Sequence, residues 1–305
     1  MSRDTLAGGT TADRPDRPDR PDRPGLLDRP APPRGPGRRR ARAGLTVLAI
    51  VLSALSVFPV LWLITSAFKP RESVTDGRLV PESVTWENFR YVLTEVAFDR
   101  WLWNSFLTAA VITVGALFFH SMAAYALARL RFPGRDGIFV VIFSTLLITP
   151  PVILIPLFIV VRQLGMLDSY AALIIPPLFN AFGIFLLRQF YLGIPRELEE
   201  AAIADGAGYW RIYWSIILPL SRPILAALSV FFFLANWNAF AWPLVATSSE
   251  DLTVTQVGIA SFTTQYGSNW NYILAAAVVA VIPMLMLFLF FQRQMVESIK
   301  TSGLK

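Results

Sequence analysis

The chain has 305 residues, of which 54% are hydrophobic and only 16% charged, and its mean hydropathy is +0.52, so most of its length cannot form the surface of a water-soluble domain. Of the formal net charge of +6, residues 1–42 carry +5, from eleven Arg against six Asp, which leaves the remaining body nearly neutral. There is no cysteine and a single histidine, His120, which excludes disulfides, thiolate metal sites and cysteine nucleophiles.

Residues 13–24 read Asp-Arg-Pro four times in succession, and a fifth copy stands at Asp28, Arg29 and Pro30. Proline at every third position prevents a helix and the scarcity of large apolar side chains prevents a core, so residues 1–42 are expected to form a disordered tail. They do not read as a secretory signal, because the apolar segment starts too late. The closing cluster of Arg38, Arg39, Arg40 and Arg42 can serve as a topology anchor or as an electrostatic arm on anionic lipid.

Six apolar stretches follow, at about residues 43–68, 105–130, 137–161, 171–191, 223–246 and 271–291. Each has the roughly 20 residues that a helix needs to cross hydrocarbon, which predicts an all-α membrane protein with six transmembrane helices over residues 43–305. Pro150, Pro156, Pro176, Pro177, Pro243 and Pro283 interrupt these stretches and are expected to bend or break the helices. Basic residues prefer the cytoplasmic side of a membrane. An inside N-terminus puts 21 of the 27 Lys and Arg on inner segments, so both termini are expected in the cytoplasm, in a multi-pass protein of the cytoplasmic membrane.

All 21 acidic residues fall in tails, loops or helix ends, which leaves His120 as the ionisable group at mid-membrane. Carriers driven by protons or sodium generally need buried carboxylates or basic partners along their path. Energy is therefore expected from elsewhere.

The longest inner loop, at about 193–222, contains EAAIADGAGYWRIYWSIILP from Glu200 to Pro219. It fits E-A-A, three residues, G, nine residues, I-x-L-P without a gap, through Glu200, Ala201, Ala202, Gly206, Ile216, Leu218 and Pro219. Seven fixed positions make such a match rare by chance. Pro195 suits a first helical turn and Glu197, Glu199 and Glu200 suit a positive helix N-terminus, so a short helix should begin at about Arg196. Gly206 and Gly208 supply a stop and a turn, after which Tyr209, Trp210, Ile212, Tyr213, Ile216 and Ile217 provide apolar bulk for a second helix. The plain alternative is an amphipathic connector in which E-A-A is simply good helix sequence.

At these residues the sequence closely resembles the inner-membrane permeases of binding-protein-dependent ABC importers. The resemblance extends from about residue 43 to 305, through TSAFKP (Thr65–Pro70), TWENF (Thr85–Phe89), AAYALARLRFPGR (Ala123–Arg135), LGMLDSYAALIIP (Leu164–Pro176) and NWNAFAWPL (Asn236–Leu244). It is strongest to the carbohydrate-uptake branch and its maltose-transporter-type six-span subunit. It implies a type I importer transmembrane domain in which Glu200, Ala201, Ala202 and Gly206, with Asp205 beside them, form a coupling helix seated on a separate ATPase dimer. It also implies a second permease subunit, expected to be a different chain, and an extracytoplasmic solute-binding protein, towards which the polar loop at about 248–269 would reach.

The chain has no G-x-x-x-x-G-K-[ST], G-x-S-x-G or H-E-x-x-H, so it is not expected to be an enzyme or to bind a cofactor; ATP and Mg belong on the partner ATPase. Its surface partner is expected to be lipid, not nucleic acid.

Asn236, Trp237, Asn238 and Trp242 combine amides and aromatic faces, the groups that recognise hydroxyl-rich sugars, although aromatics also anchor membrane interfaces. Asn180 shares this ambiguity. His120 reads as a solute ligand or as a hydrogen-bonded packing residue. The expected function is translocation of a sugar or oligosaccharide, with glycerol phosphate or another polar solute as the alternative within the class. A stand-alone secondary carrier would need buried ionisable groups or an inverted repeat, and a membrane-embedded enzyme would need a nucleophile or metal cluster.

Overall fold

The computed structural model describes residues 36–264 and 267–302, with side chains described over 44–263 and 269–290. The Asp-Arg-Pro repeats and the end of the C-terminal segment, residues 303–305, lie outside the described residues. The chain divides into two units, one ending at Ser56 and one starting at Val57. Helix α1, Pro36–Ala67, supplies the described part of the first unit, and the described side chains there, 44–56, are all exposed. It opens on a proline, whose missing N–H costs nothing in a first turn, so residues 36–42 are helical although the composition assigned them to the tail.

In the second unit, α2 (Glu87–Arg90) continues as a π-helical turn to Glu95, and α3 (Phe98–Arg129) follows. Next come α4 (Arg135–Ser144), α5 (Pro150–Gln163), α6 (Tyr170–Leu178) and α7 (Ala181–Leu192). A short α8 (Glu197–Ala204) precedes α9 (Tyr209–Ile212), a π-helical turn over Tyr213–Ile217, α10 (Leu218–Leu220) and α11 (Arg222–Trp237). Then α12 (Ala241–Ala246), α13 (Thr255–Ser261) and α14 (Trp270–Ser302) complete the helices. Strands β1 (Thr263–Thr264) and β2 (Gly267–Ser268) pair antiparallel, Thr263 with Ser268, a small exception to the expected all-α fold.

Four segments are long and apolar enough to cross a membrane: Gly44–Ala67, Phe98–Arg129, Tyr170–Leu192 and Trp270–Phe290. The other two expected spans are bent pairs, Arg135–Leu147 with Pro150–Gln163 at 108° and Tyr209–Leu220 with Arg222–Trp237 at 75°; with each pair taken as one span, the number reaches six. The expected span at 223–246 also stops early, since α11 ends at Trp237 and α12 is separate.

These breaks have local causes. Thr149 precedes Pro150 and is extended, as a residue before proline prefers. Phe179 and Asn180, after Pro176 and Pro177, are extended too, and the Asn180 side chain restarts the helix by accepting from the Gly183 N–H at 3.3 Å. Pro156 and Pro283, by contrast, lie inside helices that continue past them, so not every interrupting proline ends its helix.

Helix α3 is the axis of the second unit and packs on α6, α7, α11 and α13. Its buried face includes Ala109, Ala116, Ala124 and Ala128, small side chains that let neighbouring backbones approach, which in lipid substitutes packing for hydrophobic drive. At its Arg129 end, Tyr125 and Ala128 join Leu187, Tyr191, Ile212, Tyr213, Ile217, Leu228 and Phe232 in one core. At its Trp101 end, Phe98 and Trp101 pack with Ala67, Val74, Val92, Phe262 and Leu274.

Polar contacts fix that second end. The Asn88 side chain donates to Ala67 O and Lys69 O at 2.9 and 2.8 Å, while Asn271 donates to Asn88 Oδ1 at 2.9 Å. Fully buried Lys69 donates to Asp76 Oδ1 and Arg78 O, both at 2.5 Å.

Gly183 marks the closest approach of α7, α3 and α11: a Cβ there would stand 2.3 Å from His120 Nδ1 and 2.8 Å from Phe232 Cζ. Both neighbours are rigid rings. Gly183→Ala should therefore cost about 1–3 kcal/mol and lower the melting temperature of the detergent-solubilised protein. Gly137→Ala, in open space within α4, should instead raise it slightly, since alanine is the better helix former.

Candidate functional site

Two places combine unusual backbone geometry with chemistry. The first is the segment from α8 to α10. Helix α8 starts after Arg196, as expected, and carries Glu197, Glu199 and Glu200 in its first turn. It stops at Asp205, and Gly206 turns the chain with φ of +80°, a conformation that favours glycine.

Helix α8 buries only Glu199. Glu200, Ala201, Asp205 and Gly206 are exposed, together with Leu198 and Ile203, so small, apolar and acidic groups of α8 and its end lie uncovered. Ala202 is half-buried and lines a groove of about 200 Å³ with Asp205, Ala207, Arg211, Ile212, Ser215 and Ile216. The groove brings the E-A-A and I-x-L-P halves of the motif together. Leu218 and Pro219 are half-buried in α10, Leu218 against the core at the Arg129 end.

Glu199 faces inward, its Oε1 3.1 Å from Nε of Arg129 at the end of α3. Burial raises the Glu199 carboxyl above its ordinary range against the opposing pull of Arg129 and Arg196. Arg129 also donates to Tyr191 O and, at 2.5 Å, to Ile194 O. Nearby, the Ser121 hydroxyl is hydrogen-bonded to the hydroxyls of Tyr191 at 2.7 Å and Tyr213 at 2.9 Å.

The second place is a cavity of about 480 Å³ where three helix interruptions converge: Pro150 at the α4–α5 bend, Asn180 between α6 and α7, and Ala239 between α11 and α12. Its polar side chains are Thr108, Asn180 and Asn236, its aromatic ones Phe182, Phe231, Phe232 and Trp242, and all fifteen lining residues are uncharged. Trp242 donates its indole N–H to Ala172 O at 2.9 Å, which fixes the ring that borders the cavity. Asn236 donates to Phe232 O at 2.8 Å within α11.

The expected path residues divide. Asn180, Asn236 and Trp242 line the cavity, whereas Trp237, Asn238 and His120 do not. Trp237 is buried and stacked on Phe233, with ring centroids 5.8 Å apart. Asn238 is exposed, donating to Leu234 O and accepting from Gln256. His120 sits one layer behind, edge-on to Phe232, and its Nε2 accepts from the Asn180 N–H at 3.3 Å, the geometry of a packing residue that steadies a lining one. Thr108 and the Phe231–Phe232 pair had no composition signal to mark them, because threonine and phenylalanine in an apolar helix read as ordinary span residues.

Residues 120–301 match the family of binding-protein-dependent transport system inner membrane components. The chain belongs to this family. The permease is 35% identical to the arabinooligosaccharides transport system permease protein AraQ of Halalkalibacterium halodurans, over 86% of this chain and 95% of that one. It is also 35% identical to the sn-glycerol-3-phosphate transport system permease protein UgpE of Yersinia enterocolitica, over 86% and 98% of the two chains. A crystal structure of a bacterial ABC transporter involved in import of the acidic polysaccharide alginate contains a chain of the same fold, with a TM-score of 0.74 and 25% identity, covering 86% of the permease and 99% of that chain. The permease is thus a multi-pass inner-membrane transport component of an ABC importer.

Trp242→Phe removes the bond to Ala172 O but keeps an aromatic face on the cavity. It should destabilise the purified permease by about 1 kcal/mol, read as a lower melting temperature.

Proposed function

We propose that the permease, paired with a second and different permease chain, forms the path by which an uncharged sugar or oligosaccharide enters the cell. An extracytoplasmic binding protein delivers the solute, and ATP with Mg is hydrolysed on a separate ATPase dimer. Both termini lie in the cytoplasm, as does α8, in keeping with the excess of Lys and Arg on those segments. The Asp-Arg-Pro-rich N-terminal segment and the body from 43 onward are separate in role, the arginine cluster before residue 43 serving as a topology anchor.

The observation that carries this reading is the cavity. Irregular backbone at membrane depth is tolerated where it lines a cavity, and in transporters such helix interruptions form the substrate site. Amides and a threonine hydroxyl can bond sugar hydroxyls, while the Trp242 ring and its phenylalanine neighbours can stack on the apolar faces of a sugar ring. A volume of about 480 Å³ falls within the range of small-ligand sites.

The relatives named for arabinooligosaccharides support the same class. The relatives named for sn-glycerol-3-phosphate favour a second reading, an anionic solute. A buried anion needs a paired cation, and the lining residues of this chain offer none. The uncovered face of α8, with Glu200 beside Ala201 and Ala204, is the proposed seat on the ATPase. Asp205 and Gly206 close that face, and half-buried Ala202 borders it over the groove it shares with Ile216.

The test is uptake by the complete importer in liposomes. Neutral oligosaccharide should be taken up in preference to glycerol phosphate, and Asn180→Ala with Asn236→Ala should lower that uptake by about tenfold, from two lost hydrogen bonds; preference for the anion would establish the second reading. In the cysteine-free background, Ala202→Cys should cross-link to the ATPase in an ATP-sensitive way, and Glu200→Lys should abolish ATP-linked uptake while leaving insertion intact.

A further inference from the structure

The Arg129 side chain is 4% exposed and stands where three elements meet. It is the last residue of α3. It donates to Tyr191 O and Ile194 O, carbonyls around the end of α7, and forms an ion pair with Glu199, the buried residue of α8, whose side chain is 11% exposed. The rigid, planar guanidinium directs Nη2 to the two carbonyls while its Nε stands 3.1 Å from the Glu199 carboxylate as an ion pair; a lysine ammonium lacks that fixed geometry.

From this point both neighbours lead to the cavity. Helix α3 reaches Thr108 and Ile112 on its wall, about 30 Å from Arg129 at 1.5 Å per residue, and α7 starts beside Asn180, another wall residue. A buried ion pair is costly to separate, because each charge would be left unpaired in a low-dielectric site. A displacement of α8 therefore moves Arg129, and with it α3 and the end of α7, more easily than it breaks the pair. The hydroxyl contacts from Ser121 to Tyr191 and Tyr213 tie α3 to α7 and to the segment after α9 in the same region.

We infer that Arg129 and Glu199 are positioning residues, the joint through which motion of α8 is passed to the two helices that border the cavity. This goes beyond the reading of α8 as the ATPase seat and rests on it. Nothing in the exposed face of α8 provides that link, since Glu200 points away from the bundle.

The experiment uses the complete importer in liposomes and reads solute taken up per ATP hydrolysed, with the Ala202→Cys cross-link recorded in each preparation. Glu199→Gln, close to isosteric, should retain the cross-link and continued ATP hydrolysis, while the uptake per ATP falls about tenfold. Arg129→Lys should also lower it, because the ammonium cannot keep all three contacts. An unchanged ratio in both variants overturns the inference. So does a parallel fall in uptake and hydrolysis that follows the amount of assembled complex, which is the signature of a merely structural residue. Failure of the importer carrying Ala202→Cys alone to cross-link to the ATPase, or to couple uptake to ATP, would instead overturn the reading of α8 itself, before any variant at Arg129 or Glu199 is compared.

Discussion

Hydrocarbon offers no hydrogen bonds, so every backbone N–H and C=O that lies in a membrane must find its partner within the protein. A continuous helix meets that demand alone. The permease departs from continuity at Thr149, at Phe179 and Asn180, at Ser221 and after Trp237. The departures are not scattered: three of them border one cavity, where a polar ligand or water can satisfy exposed groups and where Asn180 caps its own restarted helix. The position of the cavity follows from where the backbone can afford to be irregular.

The same constraint explains the character of α3. A helix that must sit among others without hydrophobic drive needs close backbone approach, and its alanine face together with Gly183 on α7 provides it. That close packing leaves little room for independent movement of α3 and α7. The two helices are best regarded as one body, joined by the Ser121–Tyr191 contact and by Arg129, with α8 attached through Glu199.

What could be read from the sequence was mostly what local chemistry decides. The start of α8 at Arg196 and its stop at Gly206 follow from acidic residues at a helix N-terminus and from a glycine able to take positive φ, and both are found. Bends were harder, because an apolar window across Thr149 looks continuous, and although Pro150 flagged an interruption, an angle of 108° depends on what the two halves pack against. The aromatic and amide group around residue 236 was visible only as composition: Trp242 borders the cavity while Trp237 is core, a division made by the end of α11 between them. Arg129 and Glu199, seventy residues apart, each had an adequate local reading, as a topology signal and as a helix-terminus carboxylate, and nothing in either reading brought them together.

The uncharged lining of the cavity has a consequence for energetics on a larger scale. A membrane voltage acts on a transport cycle only through charge displaced across the field, at about 2.3 kcal/mol per elementary charge per 100 mV. A neutral solute moving past Thr108, Asn180 and Asn236 displaces none, and no ionised wall group shifts with it. On the reading proposed above, this chain's half of the pathway is electrically silent, so that accumulation of a neutral solute through it is indifferent to whether the cell is polarised and draws its whole gradient from nucleotide hydrolysis.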